Sequence, residues 1–299
     1  DAIAVEFESD LSLQIAGHLD DEFDTTIGPQ IVRRILGTLD FGLRKIAKVL
    51  PGRESPDCDR QFLRIAELKD TFLAAGNPVI SMDTKKKENI GNFYRDGQLY
   101  TLEELHTYDH DFHSYAEGVI IPHSLYDLQL NVGYIHLGTS HDTGEFACDS
   151  FRHWWYTYGR KLYPNASAIL VLCDGGGSNS SRHYLFKQDL QALADEIGIE
   201  IRIAHYPPYC SKYNPIEHRL FPHVTRACQG VIFTSIKLVK ELMEKTSTTT
   251  GLKTFVHIID KVYETGRKVA ADFKETMRIV FDDFLPQWNY RAIPFAQVI

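Results

Sequence analysis

The sequence predicts an α/β protein: a mixed β-sheet with helices on both faces, preceded by a small helical region. Three observations carry that expectation. Apolar residues recur at helical spacing through the first fifty residues. From residue 78 the pattern changes to short apolar runs, in the order of several strands, helix, strand, helix, strand, helix. Finally, 299 residues at 43% hydrophobic content can bury one large core, or a core plus a small accessory module.

Over 9–50, Leu11, Leu13, Ile15, Leu19 and Phe23 form one helical stripe, and Ile31, Val32, Ile35, Leu36 and Leu39 form a second. Between them, Thr25-Thr26-Ile27-Gly28-Pro29 supplies a turn and a helix start, since proline is tolerated in a first turn. A helix, a short turn and a helix carrying Arg33-Arg34 fit a helix-turn-helix, and fit an ordinary helical hairpin as well. Pro51-Gly52 and Ser55-Pro56 mark a linker. A further helix over about 59–74 leads to the first strand, so the domain boundary is placed between 74 and 75.

The first strand is expected at 78–83. Strands at 92–95 and 98–101 would flank Asp96-Gly97, which favours a tight hairpin turn. Two more are expected at 117–122 and 131–138, with a loop around 124–127. Asp142 or Thr143 caps a helix running to about 158. The run 168–173 reads as a buried strand, 180–197 as an amphipathic helix ended by Gly198, and 200–204 as the next strand. Thr246 to Gly251 is a polar turn before 252–259, and 260–285 reads as helical before the closing Trp288-Asn289-Tyr290.

No run approaches the ~20 apolar residues that cross a bilayer, and the N-terminus lacks a basic-then-apolar leader pattern. Five cysteines, an odd number without C-x-x-C spacing, argue for reduced core residues in a cytoplasmic protein and against a structural zinc site. The net charge of −8 is unevenly spread. Residues 1–24 hold eight acids and no Lys or Arg, leaving 32 acids against 32 Lys+Arg over the rest. Low overall charge therefore does not exclude a nucleic-acid partner, and basic clusters stand at Arg33-Arg34, Lys85-Lys86-Lys87, and Lys212 with His218-Arg219.

Three acids stand out. Asp83 ends the apolar run Pro78 to Met82, and Asp174 ends the stronger run Ala168 to Cys173. Glu217 follows Asn214-Pro215, where proline can open a helix. Taken singly, an aspartate at a strand end is more often a turn or cap residue. Together, two strand-end aspartates and a helix-borne glutamate are what a two-metal phosphoryl-transfer site requires, because hard cations take oxygen ligands and keep positions open for phosphate. Gly175-Gly176-Gly177 would let the backbone turn sharply beside a phosphate. Lys85, Lys86 and Lys87 could hold a phosphate backbone near the scissile bond, or form a solvated charge run. Lys212 and Arg219 flank Glu217, and His218 could assist proton transfer. His106, His110 and His113 have a spacing that could recruit zinc, but share a polar loop with Asp109 and Asp111. Trp154-Trp155 fits the buried side of a helix.

The sequence resembles the DDE transposases of bacterial insertion sequences, most closely the ISAzo group, relatives of the mariner-like transposases. The matching segments are Met82 to Glu88, His110-Asp111-Phe112, Asp142 to Phe146, Asp174 to Asn179, Ser211 to Phe221, and Trp288-Asn289-Tyr290, over roughly 25–294. The resemblance implies a ribonuclease H-like fold over 75–299, with Asp83, Asp174 and Glu217 as the catalytic triad binding Mg²⁺ (or Mn²⁺). Residues 1–74 would form a helix-turn-helix-like DNA-binding region, holding only part of the helical sequence such proteins carry there. Double-stranded DNA, as transposon ends and target, is the implied partner, bound by a homo-oligomer. Pro208-Tyr209-Cys210-Ser211 departs from the commoner glycine-threonine form of that loop. Two other readings fit the same residues: a domesticated or truncated DNA-binding protein, and a ribonuclease H-like nuclease that cuts without joining.

Overall fold

The computed structural model describes residues 2–42, 56–177 and 180–295, with the side chains of 2–11 left out. The end of the helical stretch expected over 9–50, the linker marks Pro51, Gly52 and Ser55, and residues Ser178 and Asn179 lie outside the described residues. The chain forms two compact units, residues 1–50 and 51–299.

In the first unit, helix α1 (Ala2–Phe23) and helix α2 (Pro29–Thr38) are joined by residues 24–28. Pro29 opens α2 as expected, with Gly28 extended before it. Arg33 Nε donates to Ser12 Oγ at 3.2 Å, tying the second helix to the first. Val32 is buried, whereas Leu13, Phe23, Ile31, Ile35 and Leu39 are exposed, so the two apolar stripes are only partly packed.

The second unit begins earlier than the sequence boundary of 74/75. Helix α3 (Cys58–Ala74) places Ile65, Leu68 and Phe72 against Val79, Leu170, Leu172, Ala204 and Tyr206. Its apolar face therefore belongs to the core of this unit, not to the N-terminal helices.

The strands are β1 (Val79–Thr84), β2 (Glu88–Ile90), β3 (Gly118–Asp127), β4 (Val132–Gly138), β5 (Ala168–Cys173), β6 (Glu200–His205), β7 (Lys253–Ile258), β8 (Ile279–Phe281) and β9 (Asn289–Ala292). They form one sheet in the order β7-β4-β3-β1-β5-β6-β9-β8, with β2 paired to β3. β3 runs antiparallel to β1 and β4, whereas β5 is parallel to β1 and β6 parallel to β5. A meander of three strands followed by two parallel strands on the far side of the first is the ribonuclease H-like sheet.

Alternation along the strands assigns the two faces. Ile80, Met82, Ile169, Val171, Cys173, Ile201 and Ile203 pack with residues of helix α4 (Gly144–Trp154) and helix α6 (Tyr184–Ile197). Thr143 caps α4 by accepting from Phe146 N, and Gly198 ends α6 in the left-handed conformation (φ 71). A wide π turn, Trp155–Gly159, carries the first of these into a last turn, α5 (Arg160–Leu162), with Trp154 and Trp155 buried. Val79, Leu170 and Leu172 face α3 instead. Farther along, Ile120, Tyr126, Ile135 and Leu137 cluster with residues of helices α7 (Pro215–Arg219), α8 (Phe221–Ala227) and α9 (Ile236–Glu244).

Gly133 on β4 makes room for this last layer. A Cβ there would lie 2.5 Å from Leu220 Cδ1, and Leu220 is fully buried. Gly133→Ala should cost about 1–3 kcal/mol in urea unfolding, as overpacking of a tight core does.

Three expectations fail. The segment 92–101 contains no strand, because Gly97 (φ 136) packs against Gln229-Gly230 and Asp96 O accepts from Gly230 N at 2.9 Å. The loop placed at 124–127 is the end of β3. Asp127 is buried, accepts from Gln129 N and Leu130 N, and takes a bond from Tyr163 Oη at 2.7 Å, so the turn begins after it. The helix expected over 260–285 reduces to α10 (Phe273–Thr276). Gly266 takes a left-handed φ of 78, and the segment is held by side chains: Tyr263 Oη donates to Asp149, and Arg267 pairs with Asp189 and Glu145.

Candidate active site

Met82 is the parallel partner of Cys173, so Asp83 and Asp174 follow at adjacent strand ends. Neighbouring strands lie roughly 5 Å apart, which puts the two carboxylates at one sheet edge. Asp83 shares the alternation of Val79 and Ser81, and Asp174 that of Leu170 and Leu172. Both therefore point to the face covered by α3 and α7. Glu217 lies in the first turn of α7, which opens on Pro215 as the sequence predicts. Its carboxyl comes close enough to Asp83 to raise that group. The three acids are thus brought together at one edge.

The helix carrying Glu217 is fastened directly to the strand carrying Asp83. Ser81 Oγ donates to Asn214 Oδ1 and accepts from Ile216 N at 3.0 Å, while Asn214 Nδ2 donates to Met82 O at 3.3 Å. Ser81 and Asn214 are both fully buried. Sequence reading missed this clamp; the signal available was a lone serine inside an apolar strand. Asn214→Ala leaves buried Ser81 and the Met82 carbonyl without their amide partner. It should cost about 1–3 kcal/mol in urea unfolding, and a larger fractional loss of any activity that needs Glu217 in place.

A second brace holds Asp174. On β6, His205 is the cross-strand partner of Cys173, and its Nδ1 lies 2.8 Å from Asp174 O. With Nδ1–H donating there, Nε2 accepts from Tyr290 Oη at 3.0 Å. Gln61 on α3 donates to His205 O at 2.9 Å and to Asn289 Oδ1 at 3.0 Å, and Asn289 Nδ2 donates back at 2.7 Å. The closing Trp288-Asn289-Tyr290 thus supports the strand beside Asp174. His205 had no sequence signal apart from its place at a strand end.

Among the basic residues, Lys85 is half-buried and paired with Glu88, while Lys86 and Lys87 are exposed. Lys212 is exposed with its ammonium 5.1 Å from the Tyr213 ring, and His218 and Arg219 are exposed on the last turn of α7. Along the chain these flank Asp83 at the end of β1 and Glu217 on α7. Arg33 and Arg34 are exposed in the other compact unit.

Burial raises the Asp83 carboxyl, and the charges of Asp174 and Glu217 raise it further, to about 8 despite a bond from Thr84 N. Asp174 is also raised, first by burial and then by Asp142, against a bond from Gly176 N at 3.3 Å. Burial and neighbouring carboxylates raise both groups. Like charges gathered in this way leave a site that a cation would stabilise. Among the described residues no three His, Cys, Asp or Glu side chains are grouped so as to hold a metal ion. Magnesium uses one or two carboxylates and leaves its other positions to water and phosphate, so an open carboxylate edge fits it. Gly177 (φ 62) turns the chain just past Asp174, as the glycine run predicts.

A ribonuclease H-like sheet with acids gathered at the ends of its two central parallel strands defines the class: a domain of the DDE kind. The chain belongs to the family described as the Rhodopirellula transposase DDE domain, which matches residues 9–294 and so runs through both compact units. None of the curated proteins matches it. Among solved structures it is similar to the Mos1 transposase paired-end complex with the left transposon end, at 13% identity and a TM-score of 0.49, over 78% of this chain and 70% of that one. It is similar also to a pre-cleavage Mos1 transpososome (13%, 0.49, 82% and 68%) and to the Mos1 mariner paired-end complex with Mn (13%, 0.47, 82% and 68%). No helix among the described residues is long and apolar enough to cross a membrane.

Proposed function

We propose that this chain is a divalent-metal-dependent DNA transposase that cuts the ends of an insertion sequence and joins them to target DNA. The observation that carries the reading is the placement of Asp83 and Asp174 after paired residues of adjacent parallel strands, with Glu217 near enough to act on the first. Asp83, Asp174 and Glu217 would hold Mg²⁺ or Mn²⁺. Bound there, two such ions supply Lewis acidity for a water or 3′-hydroxyl nucleophile and for the leaving oxygen. The chain's own part is positional. Ser81 and Asn214 keep Glu217 facing Asp83, and His205 holds the backbone of Asp174. Lys86, Lys87, Lys212, His218 and Arg219 receive the phosphate backbone at the same edge. The helical pair carrying Arg33 and Arg34 binds DNA, and two transposon ends call for a homo-oligomer in the cytoplasm.

The test is a terminal-repeat duplex incubated with the chain and Mg²⁺ or Mn²⁺, beside a pre-cut 3′-hydroxyl end with target plasmid. Metal-dependent nicks together with joined products support the reading. Nicks without joined products would make the chain a nuclease. Salt-sensitive DNA binding without either product would make it a binding protein.

A further inference from the structure

A fourth acid reaches the same edge from the opposite face of the sheet. Asp142 precedes Thr143, the cap of α4, at the point where the chain enters the helix. Thr84, one residue beyond Asp83, has the alternation of Ile80 and Met82 and so faces α4, where its hydroxyl donates to Asp142 Oδ1 at 3.3 Å. Asp142 also acts electrostatically on Asp174. An independent observation points to the same place. His123, the cross-strand partner of Thr84, is fully buried beside Phe146 of α4, and neither ring nitrogen has a hydrogen-bond partner. The charge that acts on this ring is Asp142.

We propose that Asp142 is a fourth carboxylate of the candidate site, held by Thr84, and that it binds a divalent cation together with Asp174. Glu217 then closes the edge from the α7 face and Asp142 from the α4 face, and His123 limits the movement of Asp142 from behind. Glu145, one turn along, does not share the role: it is paired with Lys261 and Arg267. This inference rests on the metal-dependent reading above.

The test is Mn²⁺ binding to the whole chain without DNA, by calorimetry and by the EPR signal of free Mn²⁺. Circular dichroism and the unfolding midpoint in EDTA certify each variant's fold. Asp142→Asn should weaken Mn²⁺ binding about tenfold or more, as loss of a ligand or of its outer support does. Asp142→Glu should retain most of the affinity, Thr84→Val should fall between, and Glu145→Gln should bind as the parent does. Parent-like affinity in Asp142→Asn and Thr84→Val, with Asp174→Asn defective, overturns the fourth-carboxylate role and leaves the metal site standing. An equal loss in Glu145→Gln marks a general charge effect and overturns the role as well. If Asp174→Asn itself binds Mn²⁺ like the parent, the metal site fails and this role fails with it. Should Asp142→Asn misfold, Thr84→Val decides by the same comparison.

Discussion

Asp174→Asn should lower metal-dependent cleavage of a terminal-repeat duplex by about a thousandfold or more, while leaving the protein folded. The size follows from the proposed role: a carboxylate that helps hold a Lewis-acidic ion contributes several kcal/mol in the transition state, and each ~1.4 kcal/mol is tenfold in rate. The fold should not suffer, because the substitution removes a like charge from beside Asp83. In EDTA at pH 8, the unfolding midpoint of Asp174→Asn should equal or exceed that of the parent. With saturating Mg²⁺ the order should reverse, since the parent alone gains the full stabilisation of a ligand that binds only the native state. A merely structural Asp174 would show the opposite in EDTA, a lower midpoint, and an unchanged rate would remove it from the site.

The acids were legible because each ends a pattern that sequence displays plainly. An apolar run such as 168–173, buried on both faces of a sheet, is uniform, and its first polar residue marks the strand end. Pro215 announced the start of α7 in the same way. Partners that act across the sheet were not legible. Ser81 and Asn214 are 133 residues apart, and Gln61 and Asn289 are 228 apart, so nothing local pairs them. Asp142 read as a helix cap, and its closeness to Thr84 appears only once β1, β3 and α4 are stacked. The errors have one cause. Polar residues buried inside a strand, as at Ser124 and Asp127, look like loop, and 260–285 looks helical although Tyr263 and Arg267 tie it to α4 and α6.

The brace behind Asp174 should make the fold sensitive to acid through His205. Burial is the first cause of its shift: the ring is wholly enclosed and its pKa falls from 6.5 to about 4, with Lys187 acting in the same direction and the Asp174 carbonyl against it. A base whose native pKa is depressed contributes stability that is present above its unfolded value. That stability is lost as pH falls from about 6.5 through about 4, because only the unfolded chain takes up the proton. The shift corresponds to on the order of 3 kcal/mol at the acid end, a large share of a typical folding free energy of ~5–15 kcal/mol. Buried His123 (about 4) and His136 (lowered well below its ordinary value) act in the same sense, while the raised carboxyls of Asp83, Asp127 and Asp174 act oppositely. The comparison of choice is therefore a pair of proteins sharing all those groups. His205→Gln keeps an amide donor for the Asp174 carbonyl but cannot titrate. It should be less stable than the parent at pH 7.5 in EDTA, by about 1–2 kcal/mol for an imperfectly replaced buried bond. Towards pH 4 the gap should close and then invert, as urea unfolding across the range will read. A gap constant with pH would mean that His205 takes up its proton in the fold as readily as in the unfolded chain, and that burial does not hold the ring neutral.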